Sequence, residues 1–236
     1  MYNQSDPVGL LDFVIPSYTP RLAHLLSPKP LNSTGPVRLL IAGQSTSPQG
    51  YASLPNVALE LKRVCEVVGT NAPDISCIQF DGANATRNTI LTNMMNCHVA
   101  HFACHGTASI NPLDSAIILH DGELQIDALM RAQFVNARIA FLSACQTAQM
   151  SSEEPNESIH IAAAMLFAGF QSVVGTMWSI CDSDAPQIAE SFYRNLIQDG
   201  TIQFSDTAAA LHRAVKDLQS SGVSSLRWAS FIHIGV

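Results

Sequence analysis

From residue 37 to the end of the chain, short apolar runs rich in β-branched residues alternate with stretches whose apolar positions recur at helical spacing. The runs at 37–43 (VRLLIAG), 75–80 (ISCIQF), 99–104 (VAHFAC), 138–144 (RIAFLSA), 171–178 (QSVVGTMW) and 228–235 (WASFIHIG) predict strands, most of them buried on both faces. Residues 115–124 predict a further strand that leaves through a turn at Asp121-Gly122 and leads into a short helix near IDALM. Between the strands, residues 57–69 place Val57, Leu61, Val64 and Val68 on one helical face, with Gly69 as the stop. Thr86 caps a helix with Ile90, Leu91, Met94 and Met95 on its apolar side. Further helices are predicted over 157–168, from Pro186 onward with Ser183 or Asp184 as cap, and over 206–220 with Ser205 as cap. Apolar strands separated by amphipathic helices require crossover connections. The fold class is therefore α/β, a three-layer sandwich with a mostly parallel central sheet.

Residues 1–36 break this rhythm. They hold five prolines at 7, 16, 20, 28 and 30, with Pro36 closing the segment, and have no sustained period. The expected organisation is an N-terminal arm or linker over 1–36 and one domain over 37–236. The stretch 159–180 (IHIAAAMLFAGFQSVVGTMWSI) imitates a membrane span, but Gly169, Gln171 and Ser172 interrupt it. It reads as a buried helix, a glycine stop and a buried strand.

Composition narrows the class. Hydrophobic residues make up 47% of the 236 and charged residues 13%, about half the usual charged share, so a large core is available. The net charge of −7, with 12 Lys and Arg, argues against a nucleic-acid partner. Cysteines at 65, 77, 97, 104, 145 and 181 form no C-x-x-C pair, which fits free thiols in a reducing compartment rather than a disulfide framework. MYNQSDPVG at the start has neither a basic nor an apolar signal region, so a soluble, cytoplasmic protein is expected.

In a parallel sheet, reacting groups gather beyond the C-terminal ends of the strands. His105, followed by Gly106, stands there after the strand at 99–104, and Cys145 stands there after the strand at 138–144. An imidazole beside a thiol raises its nucleophilicity and can later protonate a leaving amine. The backbone N–H groups of Gly106 and Cys145 could form an oxyanion hole. On the residues alone, a Cys and a His at strand ends can equally be unrelated residues at the rim of the core. A metal site at Cys97, His98, His101, Cys104 and His105 is disfavoured, because His101 and His105 on one strand lie ~13 Å apart. No cofactor is expected.

HFACHG, LSACQTA, AGFQSVVGTMWSICDSDAP with SFYRNL, and RWASFIHIG resemble, in that order, the CHAT family of caspase-like, separase-related cysteine peptidases. The likeness is nearest to the CHAT domains of fungal multidomain proteins, and SYTPRLAHLL resembles the segment that precedes such domains. The resemblance implies a caspase-like fold, His105 as general base, Cys145 as nucleophile and Gly106 beside them in the oxyanion hole. It places 176–184 on the substrate-pocket wall, with Trp178, Asp182 and Asp184 as candidate contacts. Gln44 and Ser45, by their position past the end of the first strand, are further candidates for lining the same cleft. An enclosed carboxylate there would favour Lys or Arg at P1; alternatively, the two aspartates simply cap the helix at 186. His160, His212 and His233 read as ordinary helix or strand residues. The expected function is a cysteine endopeptidase cleaving a specific protein, as the effector of a larger sensor in immune or cell-death signalling, with an upstream regulatory domain as partner. The alternative is a non-catalytic interaction module on the same fold.

Overall fold

The structure is a computed structural model describing residues 9–19, 35–46, 50–107, 109, 111–143 and 157–236. In chain order the strands are β1 (Arg38–Gly43), β2 (Ser76–Asp81), β3 (Val99–Ala103), β4 (Gly106–Thr107), β5 (Ala116–Leu119), β6 (Gly122–Gln125), β7 (Ile139–Leu142), β8 (Ser172–Thr176), β9 (Ile197–Gln198), β10 (Thr201–Ile202) and β11 (Phe231–Gly235). The helices are α1 (Val57–Asn71), α2 (Arg87–Met94), α3 (Ile126–Ala132), α4 (Glu157–Ala168), α5 (Ala185–Leu196), α6 (Thr207–Ser220) and the short α7 (Ser225–Trp228).

Six strands form the central sheet in the order β11-β8-β7-β3-β1-β2. All pair in parallel except β11, which runs antiparallel to β8. The architecture is the three-layer α/β sandwich. Alternation along β1 shows how the layers are filled: Leu39 and Ile41 join the core beneath α1, α5 and α6, whereas Leu40 and Ala42 join the core shared with α2, α3 and α4. Both faces are covered, which is why the strand reads as one continuous apolar run. Gly43 permits the tight seat of α1, since a Cβ there would meet Leu61 Cδ2 at 2.6 Å.

The stretch that imitates a membrane span is helix α4, a glycine stop and strand β8. Gly169 sits at φ +123°, and an added Cβ would lie 2.4 Å from the Phe134 carbonyl oxygen. Only glycine fits that bend. Among the described residues no helix is long and apolar enough to cross a membrane.

Several boundaries differ from the sequence expectation for local reasons. α1 continues past Gly69 to Asn71, whose Nδ2 donates to the Val67 carbonyl at 2.7 Å. Ser205 does not cap α6: the N-cap position is Asp206, and Ser205 Oγ instead donates to its carboxylate at 3.0 Å. Asp184 holds the N-cap position of α5 without a side-chain cap bond. Residues 225–228 are helical, so β11 begins at Phe231 rather than 228. Thr86 does cap α2, accepting from Thr89 N at 3.3 Å. The turn at Asp121-Gly122 joins β5 to β6, and this hairpin pairs with β4 as a small separate sheet.

The five described cysteines are free thiols. Cys97 and Cys104 are buried, whereas Cys65 of α1 and Cys77 of the edge strand β2 bring their sulfurs 3.6 Å apart.

Residues 9–18 lie against the other edge. Tyr18 forms a parallel bridge to Ile234, with Tyr18 N donating to the His233 carbonyl at 2.9 Å and Gly235 N donating to the Tyr18 carbonyl at 2.8 Å. Ser17 Oγ meets His233 Nδ1 at 2.7 Å. Burial holds His233 at a pKa of about 4, against an ordinary 6.5. As pH falls the unfolded chain takes up this proton first. The stability contributed by a neutral His233 is therefore complete above about pH 6.5 and is lost progressively towards pH 4, by about 3 kcal/mol in all. In urea titrations at pH 7 and pH 4.5, wild type should lose about 2–3 kcal/mol more than His233→Asn. Equal losses would reject this assignment.

Candidate active site

The chain enters the sheet at β1, moves outward to β2, then returns to β3 on the other side of β1. That reversal is a topological switch point, where the ends of parallel strands leave a crevice. Two residues stand at its two lips. Gln44 follows β1 and His105 follows β3, bridged by Gln44 N donating to the Ala103 carbonyl at 3.0 Å.

His105 is fixed from both sides along the chain. Before it, β3 is fully buried; Cys104 turns its thiol inward to donate to the Ala42 carbonyl at 3.4 Å. After it, Gly106 and Thr107 become β4, and the His105 carbonyl accepts Ile118 N at 2.8 Å. The imidazole is 1% exposed, with the Tyr51 ring 5.4 Å away at 31°. Its Nε2 lies 2.7 Å from the Ala52 carbonyl oxygen. A carbonyl only accepts, so Nε2 must carry the proton and Nδ1 is the basic nitrogen. The loop before α1 thus sets the tautomer of a histidine 53 positions further on.

Gly106 is paired with Ile117. Because Ile118 N bonds the His105 carbonyl, Gly106–Ile117 is a non-hydrogen-bonded pair, and the Gly106 N–H points away from β5.

Cys145 lies outside the described residues. Its approach is described: β7 runs parallel beside β3, with Phe102 opposite Leu142, and Ser143 N donates to the Phe102 carbonyl at 2.9 Å. The described chain therefore ends two residues short of Cys145, at the same end of the sheet and one strand over from β3.

The other expected contacts fall into two groups. Gln44 is fully buried; its Nε2 donates to the carbonyls of Ala85 at 3.2 Å and Gly82 at 3.4 Å. Ser45 bonds both carboxylate oxygens of Asp81 through its N (2.9 Å) and Oγ (2.6 Å). Together they tie the end of β1 to the end of β2. Beyond β8, Trp178 is 38% exposed and donates Nε1–H to the Leu226 carbonyl at 2.8 Å. Asp184, 2% exposed, is engaged by Arg227 through Nε at 2.8 Å and through Nη2. Asp182 Oδ2 accepts from Asn56 N at 3.0 Å and Asn56 Nδ2 at 2.6 Å. Neither aspartate caps α5 by its side chain. Asp182 instead clamps the loop that carries Ala52.

The remaining histidine and cysteine cluster disperses. His98 Nδ1 accepts from Arg38 N at 3.0 Å, and Cys97 is buried in the core with α2. His101 faces the opposite core, with Nε2 3.0 Å from Glu60 Oε1, Nδ1 3.3 Å from the Tyr193 hydroxyl and the Phe141 ring stacked at 4.8 Å. Burial raises the Tyr193 pKa well above its usual value, so its hydroxyl stays a donor to Nδ1 while Nε2–H donates to Glu60. Among the described residues no three His, Cys, Asp or Glu side chains converge on a metal-sized point.

A family model described as CHAT domain matches residues 11–236. No curated protein sequence matches significantly. Solved structures do match in fold. One is the complex of the pro- and mature domains of Porphyromonas gingivalis RgpB, with 11% identity, a TM-score of 0.50, and coverage of 84% of this chain and 47% of that one. Another is the Arg-specific cysteine proteinase gingipain R, with 10% identity, a TM-score of 0.53, and coverage of 84% and 46%. A third is the Saccharomyces cerevisiae separase–securin complex, with 16% identity, a TM-score of 0.51, and coverage of 85% and 12%. This chain thus spans about half of the gingipain chains and 12% of the separase-complex chain.

Proposed function

The chain belongs to the CHAT domain family, and on that footing we propose that it is a cysteine endopeptidase working through His105 and Cys145. The observation that carries this reading is the Ala52 carbonyl 2.7 Å from His105 Nε2. That contact keeps the proton on Nε2 and the lone pair on Nδ1, and His105 stands past the end of β3, one strand from the approach to Cys145, which is the arrangement a general base needs.

In the proposed cycle Nδ1 of His105 takes the Cys145 thiol proton, and the thiolate adds to the scissile carbonyl carbon. The negative charge that develops on the carbonyl oxygen is met by the N–H groups of Gly106 and Cys145, each such donor contributing roughly 10²–10³ in rate. The imidazolium, supported by Nε2–H donation to Ala52, then gives its proton to the leaving amine. A thioester remains. His105 next deprotonates water for attack on that thioester, and the returning proton restores the thiol.

For specificity we read Asp182 as a contact to a basic P1 side chain. Its Oδ2 is held by Asn56, which leaves Oδ1 available for a charge-assisted pair with Lys or Arg. The gingipain neighbour is an Arg-specific cysteine proteinase, which supports this reading. Asp184, already engaged by Arg227, has a structural part. A protein substrate and control by an upstream sensor domain, in an immune or cell-death setting, complete the proposal.

The test is labelling by a peptidyl acyloxymethyl ketone with arginine at P1. One adduct on Cys145 is expected in wild type and none in Cys145→Ala. Asp182→Asn should label about 10–100-fold more slowly, yet react normally with iodoacetamide. Equal labelling of wild type and Cys145→Ala would overturn the enzyme reading in favour of a non-catalytic module.

A further inference from the structure

The sulfurs of Cys65 and Cys77 stand 3.6 Å apart, in contact but not bonded. Cys65 lies on α1, and Cys77 is the second residue of β2, opposite Leu39 in the parallel register. Leu39 faces the core beneath α1, so its neighbour in register points to the same face of the sheet, towards the helix. The pair is open to solution: Cys77 is exposed and Cys65 half-buried, because β2 ends the sheet and has no strand beyond it among the described residues. The other described thiols are placed differently. Cys97 and Cys104 are buried, and Cys181 meets the Ser183 hydroxyl at 3.2 Å.

Two accessible thiols in contact have a chemistry that neither has alone, because one can resolve what happens to the other. The Cys77 thiol donates towards Cys65 and holds that thiol below its ordinary pKa, against burial and the Glu66 carboxylate. The same bond pushes Cys77 up. Cys65 is thus prepared to attack and Cys77 to follow. Gln79, two residues further along the same face of β2, sets its side-chain amide 3.3 Å from Cys65 Sγ, and that amide can serve the thiol as acceptor or the thiolate as donor. A disulfide of about 2.0 Å requires the sulfurs to close by about 1.6 Å. An edge strand with an open outer side can make that small adjustment.

We propose that Cys65 and Cys77 form a reversible, peroxide-responsive dithiol, whose oxidation staples α1 to the outer strand of the sheet. The Cys65 thiolate attacks one oxygen of hydrogen peroxide; the O–O bond breaks, hydroxide leaves, and Cys65 becomes a sulfenic acid. The Cys77 sulfur then attacks the Cys65 sulfur. An S–S bond forms, the S–O bond breaks, and the departing hydroxide takes the Cys77 proton and leaves as water. Two electrons pass from the thiols to the peroxide. Two molecules of reduced glutathione return them, leaving as glutathione disulfide and restoring both thiols. Cys77 stands near the start of β2, whereas His105 follows the far end of the parallel strand β3, so this site is not the crevice of His105. The inference does not depend on the catalytic reading.

The test adds hydrogen peroxide to the full chain, stops the reaction with acid and alkylates the remaining thiols with N-ethylmaleimide under denaturing conditions. Both cysteines fall in the tryptic peptide 64–87, which should lose two hydrogens and escape alkylation. A second cleavage after Glu66 should leave its two pieces joined, and reduced glutathione should separate them. The pair should oxidise about tenfold or more faster than the exposed Cys181. In Cys77→Ser, dimedone should trap a sulfenic acid on Cys65. In Cys65→Ser, Cys77 should react no faster than Cys181. The wild-type masses need no variant, and circular dichroism shows whether each serine variant is folded. A peptide 64–87 that is still fully alkylated once Cys181 has been oxidised would overturn the proposal. So would a disulfide between two chains, a sulfinic acid on either cysteine without the cross-link, or a dimedone adduct on Cys77 in Cys65→Ser with none on Cys65 in Cys77→Ser.

Discussion

His105→Ala is expected to lower kcat/KM by about 10²–10⁴-fold with KM little changed, because the lost group acts on the reacting atoms rather than on substrate side chains. The same variant should alter the thiol itself. A cysteine next to an imidazole is alkylated by iodoacetamide with an apparent pKa below the free-thiol value of ~8.5, and removing the imidazole should return it towards that value. Measuring the alkylation rate of Cys145 from pH 5 to pH 10 in both proteins separates the two roles of the histidine. A wild-type profile identical to that of His105→Ala would mean that the imidazole does not reach the thiol. His105 is buried and its carbonyl holds β5, so melting temperatures must accompany the kinetics.

The second large effect is expected in the core. Glu60 and His101 are 1% and 0% exposed and meet at 3.0 Å, with Tyr193 closing the network from α5. Glu60→Leu leaves the imidazole without its acceptor, and His101→Leu leaves a buried carboxylate alone. Each single change should cost about 3–5 kcal/mol, whereas the double substitution should recover most of that loss. For a domain of this size the single variants should melt roughly 6–20 °C lower. A double-mutant cycle from urea unfolding reads the coupling directly. Additive losses would show that the two side chains are stabilised separately. The network matters to the site because it pins β3 to α1 four residues before His105.

The sheet was legible because its strands are covered on both faces and therefore appear as unbroken apolar runs. Termini were harder. Ser205 and Asp206 are both good capping residues, and only the path of the chain decides that the helix begins after the second. Trp228 looks like the start of a strand, yet its indole packs at the rim of the core while its backbone turns as α7. Within the candidate site, His105 and Gly106 were singled out by their place past β3 together with the family resemblance. The carbonyl of Ala52 could not be, since every residue carries one and nothing in the side chain reveals its direction. Glu60 was visible in principle: a carboxylate on the apolar face beside Val57, Leu61 and Val64 needs a buried partner, and His101 was the nearest unexplained candidate. Asp182 and Asp184 looked alike in sequence. The fold separates them, because one faces Arg227 and the other faces Asn56.

The clamp of Asp182 by Asn56 also has an entropic side. A carboxylate gripped by two N–H donors keeps one orientation before any cation arrives. A basic group meeting it escapes the roughly 0.5–1.5 kcal/mol that ordering a loose side chain would take. The same grip stiffens residues 52–56, and with them the oxygen that orients His105. In the proposed site, selectivity and proton transfer would both draw rigidity from this one pair of hydrogen bonds. Loosening Asn56 would blur the choice of substrate and slow the chemistry together.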